Sequence, residues 1–138
     1  PEQIKRIAAR IAEQHRNGWK VIVVVSAMGK TTDGLMKLAH EVSPLPNRRE
    51  LDMLLSTGER ISMALLSMAL HDCSCPSISF TGSQAGVMTE GSHSNANIKE
   101  LKPIRVEEAL TAGKVVVLAG FQGVDPLTKE ITTLGRGG

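Results

Sequence analysis

Residues 21–25 read Val-Ile-Val-Val-Val, a run of five β-branched side chains with no polar residue among them. A strand with one face in water alternates apolar and polar residues, so this run predicts a strand that is buried on both faces, as in a parallel sheet covered by helices. Similar segments recur at 77–80 and 115–119. The chain is therefore expected to form a parallel sheet with helices packed against it.

Helical patterns separate these strands. Apolar residues recur at three- and four-residue spacing over residues 4–12, and Gly18 could end that helix. A longer pattern runs from Arg49 to His71, and a shorter one runs from Pro103 to about residue 111, with Gly113 as a stop. The alternation predicts an α/β layered fold with right-handed crossovers. In the long helix the apolar stripe is predicted to contain Leu51, Leu54, Leu55, Gly58, Ser62, Leu65 and Ala69.

Size and charge limit the classes of function. The chain has 138 residues, 41% of them hydrophobic, which suits one core and is too short for two ordinary domains. Its formal net charge is +2, and the basic residues are scattered rather than clustered. The aromatic residues are Trp19, Phe80 and Phe121, too few for the stacking surface of a single-strand binder. Nucleic acid is therefore not an expected partner.

The sequence also argues against membrane and metal-binding classes. No apolar stretch approaches the ~18 residues that span a bilayer, and the amino end is charged and amphipathic rather than a signal peptide. A cytoplasmic protein is expected. Cys73 and Cys75 lack a second cysteine pair or a nearby histidine doublet, so we expect two free thiols and no metal site.

The loop after the first strand is a candidate binding site, because ligands gather at the carboxyl ends of parallel strands. Residues 26–34 are small and hydroxyl-rich and precede a helical pattern, so backbone N–H groups could face an anion. Alternatively, Thr32 or Asp33 caps the helix. A P-loop is excluded, because the position that requires its first glycine holds Val24.

Glu59 is the second candidate. It belongs to the segment Ser-Thr-Gly-Glu-Arg at 56–60 and falls at the border of the predicted apolar stripe. A carboxylate beside packed surface and near a cleft suits the binding of an ammonium group. The alternative is an ordinary boundary charge whose carboxylate reaches water or pairs loosely with a neighbour.

Three further segments are weaker candidates. Glycine-rich strand exits at 81–86 and 120–125 could approach a ligand or simply turn the chain. The polar cluster of His93, Asn95 and Asn97 is interpreted as a solvated loop without chemistry. At the end of the chain, Arg136 lies between glycines, and its planar guanidinium matches a carboxylate or phosphate. A flexible tail is the alternative there.

Taken in order, these segments resemble the aspartate kinases of the amino acid kinase superfamily over the whole chain. The Ser-Thr-Gly-Glu-Arg segment and the Thr-Thr-Leu-Gly-Arg-Gly-Gly segment at 132–138 separate aspartate kinases from acetylglutamate, glutamate and uridylate kinases of the same fold. The resemblance is carried by residues 21–29, 31–33, 49–62, 80–86, 119–123 and 132–138.

The resemblance implies a three-layer αβα sandwich with a mainly parallel sheet, of which residues 1–138 would be the acceptor-binding part. It implies ATP-dependent phosphorylation of the side-chain carboxylate of L-aspartate to 4-phospho-L-aspartate, the first step of lysine, threonine and methionine biosynthesis. ATP and Mg²⁺ would be bound mainly by parts absent from this chain. A homo-oligomer is expected for the intact enzyme.

The resemblance also implies roles for individual residues. Glu59 would bind the ammonium of aspartate, Arg136 would clamp a substrate carboxylate, expected to be the α-carboxylate, and Thr32 would hydrogen-bond the substrate. Ser26 would act where the acceptor carboxylate meets the transferred phosphate. The residues implied near the phosphates are Ser26, Ala27, Gly29, Gly137 and Gly138.

The chain departs from the family pattern in three regions. The Lys-[Phe/Tyr]-Gly-Gly-[Thr/Ser] strand does not precede Pro1, and neither the nucleotide-binding half nor the ACT regulatory domains follow Gly138. The chain as written is therefore expected to be an incomplete domain with negligible kinase activity. Two other functions stay open: another amino acid kinase, such as acetylglutamate kinase, or a non-catalytic module that binds an acidic amino acid.

Overall fold

The computed structural model describes residues 1–135, which contain four helices and seven strands. The helices are α1 (Glu2–Arg16), α2 (Thr31–Val42), α3 (Arg48–Asp72) and α4 (Ile104–Thr111). The strands are β1 (Ile22–Val25), β2 (Ser77–Phe80), β3 (Val87–Glu90), β4 (Asn97–Leu101), β5 (Val115–Ala119), β6 (Gln122–Val124) and β7 (Ile131–Thr133).

The first sheet consists of the three strands that the apolar segments predict. Its order is β1-β5-β2, and both pairs are parallel. The register pairs Val25 with Ala119 and Phe80 with Leu118, so the three strands end at the same edge of the sheet. The loops that follow them therefore start side by side.

Helices cover this sheet on two sides, which gives three layers. On one side, Ala8 and Ala12 of α1 and Leu66 and Leu70 of α3 pack with Val115 and Val117 of β5. On the other side, Val106 and Ala109 of α4 pack with Phe80 and Val116. The expected αβα arrangement of an α/β fold is confirmed.

The prediction that β1 is buried on both faces is wrong for the described chain. Val21, Val23 and Val25 pack against the core under α1 and α3. Ile22 is 48% exposed and Val24 is 66% exposed, because β1 is an edge strand and α4 packs against β5 instead. The run of β-branched residues therefore identifies the strand but not what covers its second face.

A second sheet of four short strands was not predicted. Its order is β4-β3-β6-β7, with antiparallel β3–β4 and β6–β7 pairs joined by a parallel β3–β6 contact. Its strands have three to five residues, and β4 is exposed at all five positions, so it lacks the alternation that marks a strand in sequence. The glycine-rich exit at 120–125 contains β6.

The long helix α3 buries a face that is rotated by about one residue from the predicted stripe. Leu65 is 39% exposed, whereas Leu66 is only 4% exposed. The outward side is also apolar, with exposed Met53, Ile61 and Met68, so hydrophobicity alone does not identify the buried side. The buried residues of α3 are Asp52, Leu55, Ser56, Gly58, Glu59, Ser62, Leu66 and Leu70.

The helix ends follow local chemistry. The side chain of Asn47 accepts hydrogen bonds from the backbone N–H groups of Arg49 (3.0 Å) and Glu50 (3.3 Å), which caps α3. Gly18 and Gly113 adopt positive φ angles of 93° and 80° shortly after α1 and α4, as the sequence predicts. Within residues 1–135, no helix combines the length and apolar character needed to cross a membrane.

Candidate functional site

The segment between β1 and α2 leaves the sheet at the edge where the three parallel strands end. It covers residues 26–30, and α2 begins at Thr31, whose Oγ1 donates a hydrogen bond to the carbonyl of Met28 at 2.6 Å. Thr32 and Asp33 lie inside the first turn, and the position before the helix makes no side-chain cap. The interpretation of Thr32 or Asp33 as a helix cap is therefore wrong.

Close packing brings this segment onto α3 at Gly58. A Cβ atom at position 58 would lie 2.9 Å from the Cβ of Ala27 and 3.6 Å from Cγ2 of Thr31. Glycine at this position therefore permits the helix backbone to approach the loop more closely than any other residue would. The next residue along the helix, Glu59, is thereby placed beside the loop.

Glu59 is a buried carboxylate whose hydrogen bonding is incomplete. Its exposed fraction is 3%, and its Oε1 accepts a hydrogen bond from the backbone N–H of Ala27 at 3.3 Å. Its Oε2 is buried and has no hydrogen-bond partner among the described residues. Burial raises the pKa of Glu59 above its ordinary value, and backbone hydrogen bonds, including that from Ala27, oppose the shift.

This environment contradicts the interpretation of Glu59 as a boundary charge that reaches water. A buried carboxylate is costly unless a cation or several donors satisfy it. Within residues 1–135 no lysine, arginine or histidine forms an ion pair with it. The buried Oε2 therefore lacks a compensating donor among residues 1–135, and a nearby cation would best offset the cost of its burial.

The same face of α3 also forms hydrogen bonds with two strands of the second sheet, β6 and β7. The carbonyl of Ser56 accepts a hydrogen bond from Nε2 of the buried Gln122 on β6 at 3.0 Å. One turn earlier, Asp52 accepts hydrogen bonds from the backbone N–H (3.1 Å) and Oγ1 (2.6 Å) of Thr133 on β7. Positions 52, 56 and 59 thus join α3 to β7, to β6 and to the loop after β1.

The sequence-based interpretation of the His93 segment as a solvated loop is incomplete, because this loop also contacts the buried Asp52. His93 Nδ1 lies 2.7 Å from Asp52 Oδ2, and Ser94 donates to Asp52 from its backbone N–H (3.1 Å) and its Oγ (3.0 Å). This loop joins β3 to β4, so Asp52 also anchors the second sheet to α3.

The predicted site residues differ in how the structure places them. Ser26, Ala27 and Gly29 line one groove of about 560 Å³ beside β1, together with α1 and α3 residues. Ala27 is joined to Glu59 by the hydrogen bond described above. Thr32 is half-buried on α2, and no hydrogen bond within residues 1–135 joins Thr32 or Ser26 to Glu59. Arg136, Gly137 and Gly138 lie outside the described residues.

The described residues do not supply a metal centre. No group of three or more His, Cys, Asp or Glu side chains in residues 1–135 is arranged to hold a metal ion. Cys73 and Cys75 are both free thiols.

Sequence reasoning overlooked Asp52, Gln122 and Thr133. For Asp52 a signal existed, because it lies seven residues before Glu59 and thus on the same helical face, two turns earlier. An acidic residue on the face that also holds Leu55 is unusual enough to suggest a buried partner. Gln122 and Thr133 lie in strands of three residues, for which the sequence contains no comparable signal.

Comparison with known proteins relates these features to one family. The family model described as "Amino acid kinase family" matches residues 1–138. The aspartokinase of Mycolicibacterium smegmatis is 56% identical over 137 residues, which are 99% of this chain and 32% of that protein. The chain thus spans about a third of the length of the curated relatives it matches.

Solved structures agree with the sequence comparison. The aspartate kinase from Synechocystis superposes with a TM-score of 0.79 at 51% identity, over 99% of this chain and 22% of that one. The E. coli aspartokinase III, in a complex with aspartate and ADP, gives a TM-score of 0.60 at 27% identity, over 77% of this chain and 24% of that one.

Proposed function

Since this chain belongs to the amino acid kinase family, we propose that it is the acceptor-binding part of an aspartate kinase, which transfers a phosphoryl group from ATP to the side-chain carboxylate of L-aspartate. The observation that carries the proposal is the buried carboxylate of Glu59, which presents an unpartnered oxygen beside the loop after β1. Its relatives at 51–56% identity include aspartokinases of several bacteria, and one solved homologue binds aspartate and ADP.

The chemistry of Glu59 favours a free amino acid as the acceptor. The ammonium of aspartate would donate a hydrogen bond to Oε2 and neutralise the buried charge. An N-acylated amino acid presents a neutral amide at the same place and would leave the carboxylate unpaired. Glu59 therefore supports aspartate over N-acetylglutamate as the substrate.

Arg136 is proposed to clamp the α-carboxylate of the same substrate. Thr133, three residues earlier, is held against Asp52 on α3. Three extended residues span roughly 10 Å, and Asp52 and Glu59 are about 10 Å apart along the helix axis at ~1.5 Å per residue. Chain length thus permits Arg136 and Glu59 to contact opposite ends of one small amino acid.

With both ends held, the side-chain carboxylate of aspartate would face the loop of residues 26–29. Phosphoryl transfer depends on in-line positioning and on charge stabilisation, and a carboxylate needs no general base to act as the nucleophile. We propose that Ser26 and the backbone of Ala27 and Gly29 line the place of transfer, that Thr32 hydrogen-bonds the substrate, and that Gly137 and Gly138 lie near the phosphates. ATP and Mg²⁺ would be held mainly by regions outside residues 1–138.

The test is steady-state kinetics of a full-length enzyme that carries this chain. We expect Glu59→Gln and Arg136→Ala each to raise the KM for aspartate roughly 10- to 100-fold, the loss typical of a hydrogen bond to a charged group, with little change in the KM for ATP. Glu50→Gln is the matched control, because Glu50 lies on the same helix but is exposed, and its ion-pair partner within residues 1–135 is Arg49. An unchanged aspartate dependence in both test variants would remove these residues from the site.

A further inference from the structure

Asp52 is a completely buried carboxylate whose hydrogen-bond partners lie in the His93 loop and in β7. Its exposed fraction is 0%, and it accepts hydrogen bonds from Thr133, from Ser94 and, at 2.7 Å, from His93. The contacts use both oxygens and involve two backbone N–H groups, two hydroxyls and one imidazole nitrogen. A carboxylate with this many donors holds its partners in fixed positions.

The two partner segments are also joined to each other. The backbone N–H of Ala96, at the end of the His93 loop, donates to the carbonyl of Thr133 at 3.2 Å, and the N–H of Gly135 donates to the carbonyl of Ala96 at 3.4 Å. A Cβ atom at position 135 would lie 2.6 Å from Oδ1 of Asn95, so the chain after β7 passes close to the His93 loop. The end of β7 is therefore enclosed between α3 and the His93 loop.

We propose that Asp52 is the positioning residue of the acceptor site, acting through Thr133 and Ser94 to fix the end of β7 relative to Glu59. The inference rests on the proposed function, since it takes Glu59 as the group that binds the substrate ammonium. Asp52 and Glu59 lie on one face of one helix, so each bond from Asp52 to Thr133 sets the distance between the chain after β7 and Glu59. Asp52 itself does not touch the substrate.

The expected consequence is a selective loss of acceptor binding. When a bond that fixes the end of β7 is removed, the chain after β7 is no longer held at the distance from Glu59 that suits the length of aspartate. A displacement of about 1 Å is enough to impair a positioned reaction severely. ATP is proposed to be held mainly by regions outside residues 1–138, so the KM for ATP should change much less than the KM for aspartate.

The experiment compares two threonine variants in the full-length enzyme, one without the hydroxyl and one that keeps it. Thr133→Val removes only the hydroxyl that donates to Asp52, while Thr133→Ser keeps it. Thr89→Val is the matched control: Thr89 is equally buried in the same sheet, and its hydroxyl bonds to Thr132 rather than to Asp52. We expect Thr133→Val to raise the KM for aspartate about tenfold, with Thr133→Ser and Thr89→Val within about twofold of the parent.

A purely structural role for Asp52 predicts a different result. Thr133→Val and Thr89→Val would then lower the melting temperature by similar amounts and leave the aspartate KM unchanged, which would overturn the inference. Ser94→Ala is a second variant that removes the loop-side hydroxyl bond without altering a strand, and it should also raise the aspartate KM selectively. If Thr133→Val does not fold, an unchanged KM in Ser94→Ala is the result that overturns the inference.

The same measurements separate this inference from the proposed function. A raised aspartate KM in Glu59→Gln with none in Thr133→Val and Ser94→Ala would leave the substrate assignment intact and reject the role of Asp52. An unchanged aspartate KM in Glu59→Gln would reject the substrate assignment itself, and with it the inference.

Discussion

The buried carboxylate of Glu59 lowers the stability of the fold when it is charged. Its burial raises its pKa, which means that the folded chain holds the proton more tightly than the unfolded chain does. As pH rises from the ordinary pKa of 4.5 through the raised value, the unfolded state loses its proton first, so the free energy of unfolding falls. A bound cationic ligand would restore the stability that the fold loses by burying this charge. Selection for stability alone would have replaced this side chain.

A prediction at this scale concerns Glu59→Gln without substrate. We expect the variant to exceed the parent in stability at pH 8 by roughly 0.5–2 kcal/mol, the usual gain when a functional strain is relieved, and the difference to vanish near pH 4, where the parent carboxyl is protonated. Thermal unfolding of the full-length enzyme at several pH values measures this. Aspartate at a concentration that just saturates the parent should stabilise the parent more than the variant. Equal melting temperatures at pH 8 would contradict the expectation.

At the scale of elements, α3 organises the molecule. Its inner face packs on the first sheet through Leu66 and Leu70, and nearer its amino end it joins β7, β6 and the loop after β1. That loop reaches α3 only because position 58 has no side chain. The close approach of helix and loop places the N–H of Ala27 on Glu59.

Gly58→Ala tests the close approach. Helix propensity alone favours alanine by about 1 kcal/mol, but the added methyl would meet the Cβ of Ala27 at 2.9 Å. We expect overpacking to prevail, with a net loss of roughly 1–3 kcal/mol in the free energy of unfolding, and a raised KM for aspartate. Gly34→Ala is the control, since a Cβ at position 34 of α2 meets nothing within 4 Å and should stabilise by about 0.5–1 kcal/mol. Stabilisation by Gly58→Ala would contradict the close approach.

At the scale of the whole molecule, the three layers could be predicted from sequence, whereas the second sheet could not. The strand at 115–119 is apolar enough to identify by composition, and the strand at 77–80 contains the β-formers Ile78 and Phe80. The strands β6 and β7 are formed by contacts with distant residues, such as the bonds of Gln122 to α3, which no local pattern records. The family motif identified Glu59 as a candidate. Its burial could not be predicted, because α3 is apolar on both sides.

The location of the core gives a prediction at this scale. Leu70 is fully buried between α1, α3 and the first sheet, whereas Met68, two residues earlier, is 63% exposed. We expect Leu70→Ala to cost about 2–5 kcal/mol of unfolding free energy and Met68→Ala less than about 0.5 kcal/mol. Urea denaturation of both variants checks this. Similar losses for the two would mean that the outward side of α3 is covered as well.

The uninterrupted course of α3 limits how such an enzyme could move during its cycle. Asp52 and Glu59 lie in one continuous helix, so the distance between them cannot change unless the helix unwinds. If the site closes around a bound amino acid, the movement must then occur in the flanking loops, while α3 stays fixed. Distance-reporting labels should therefore show that residues 26–30 move, and that the distance between positions 52 and 59 stays constant.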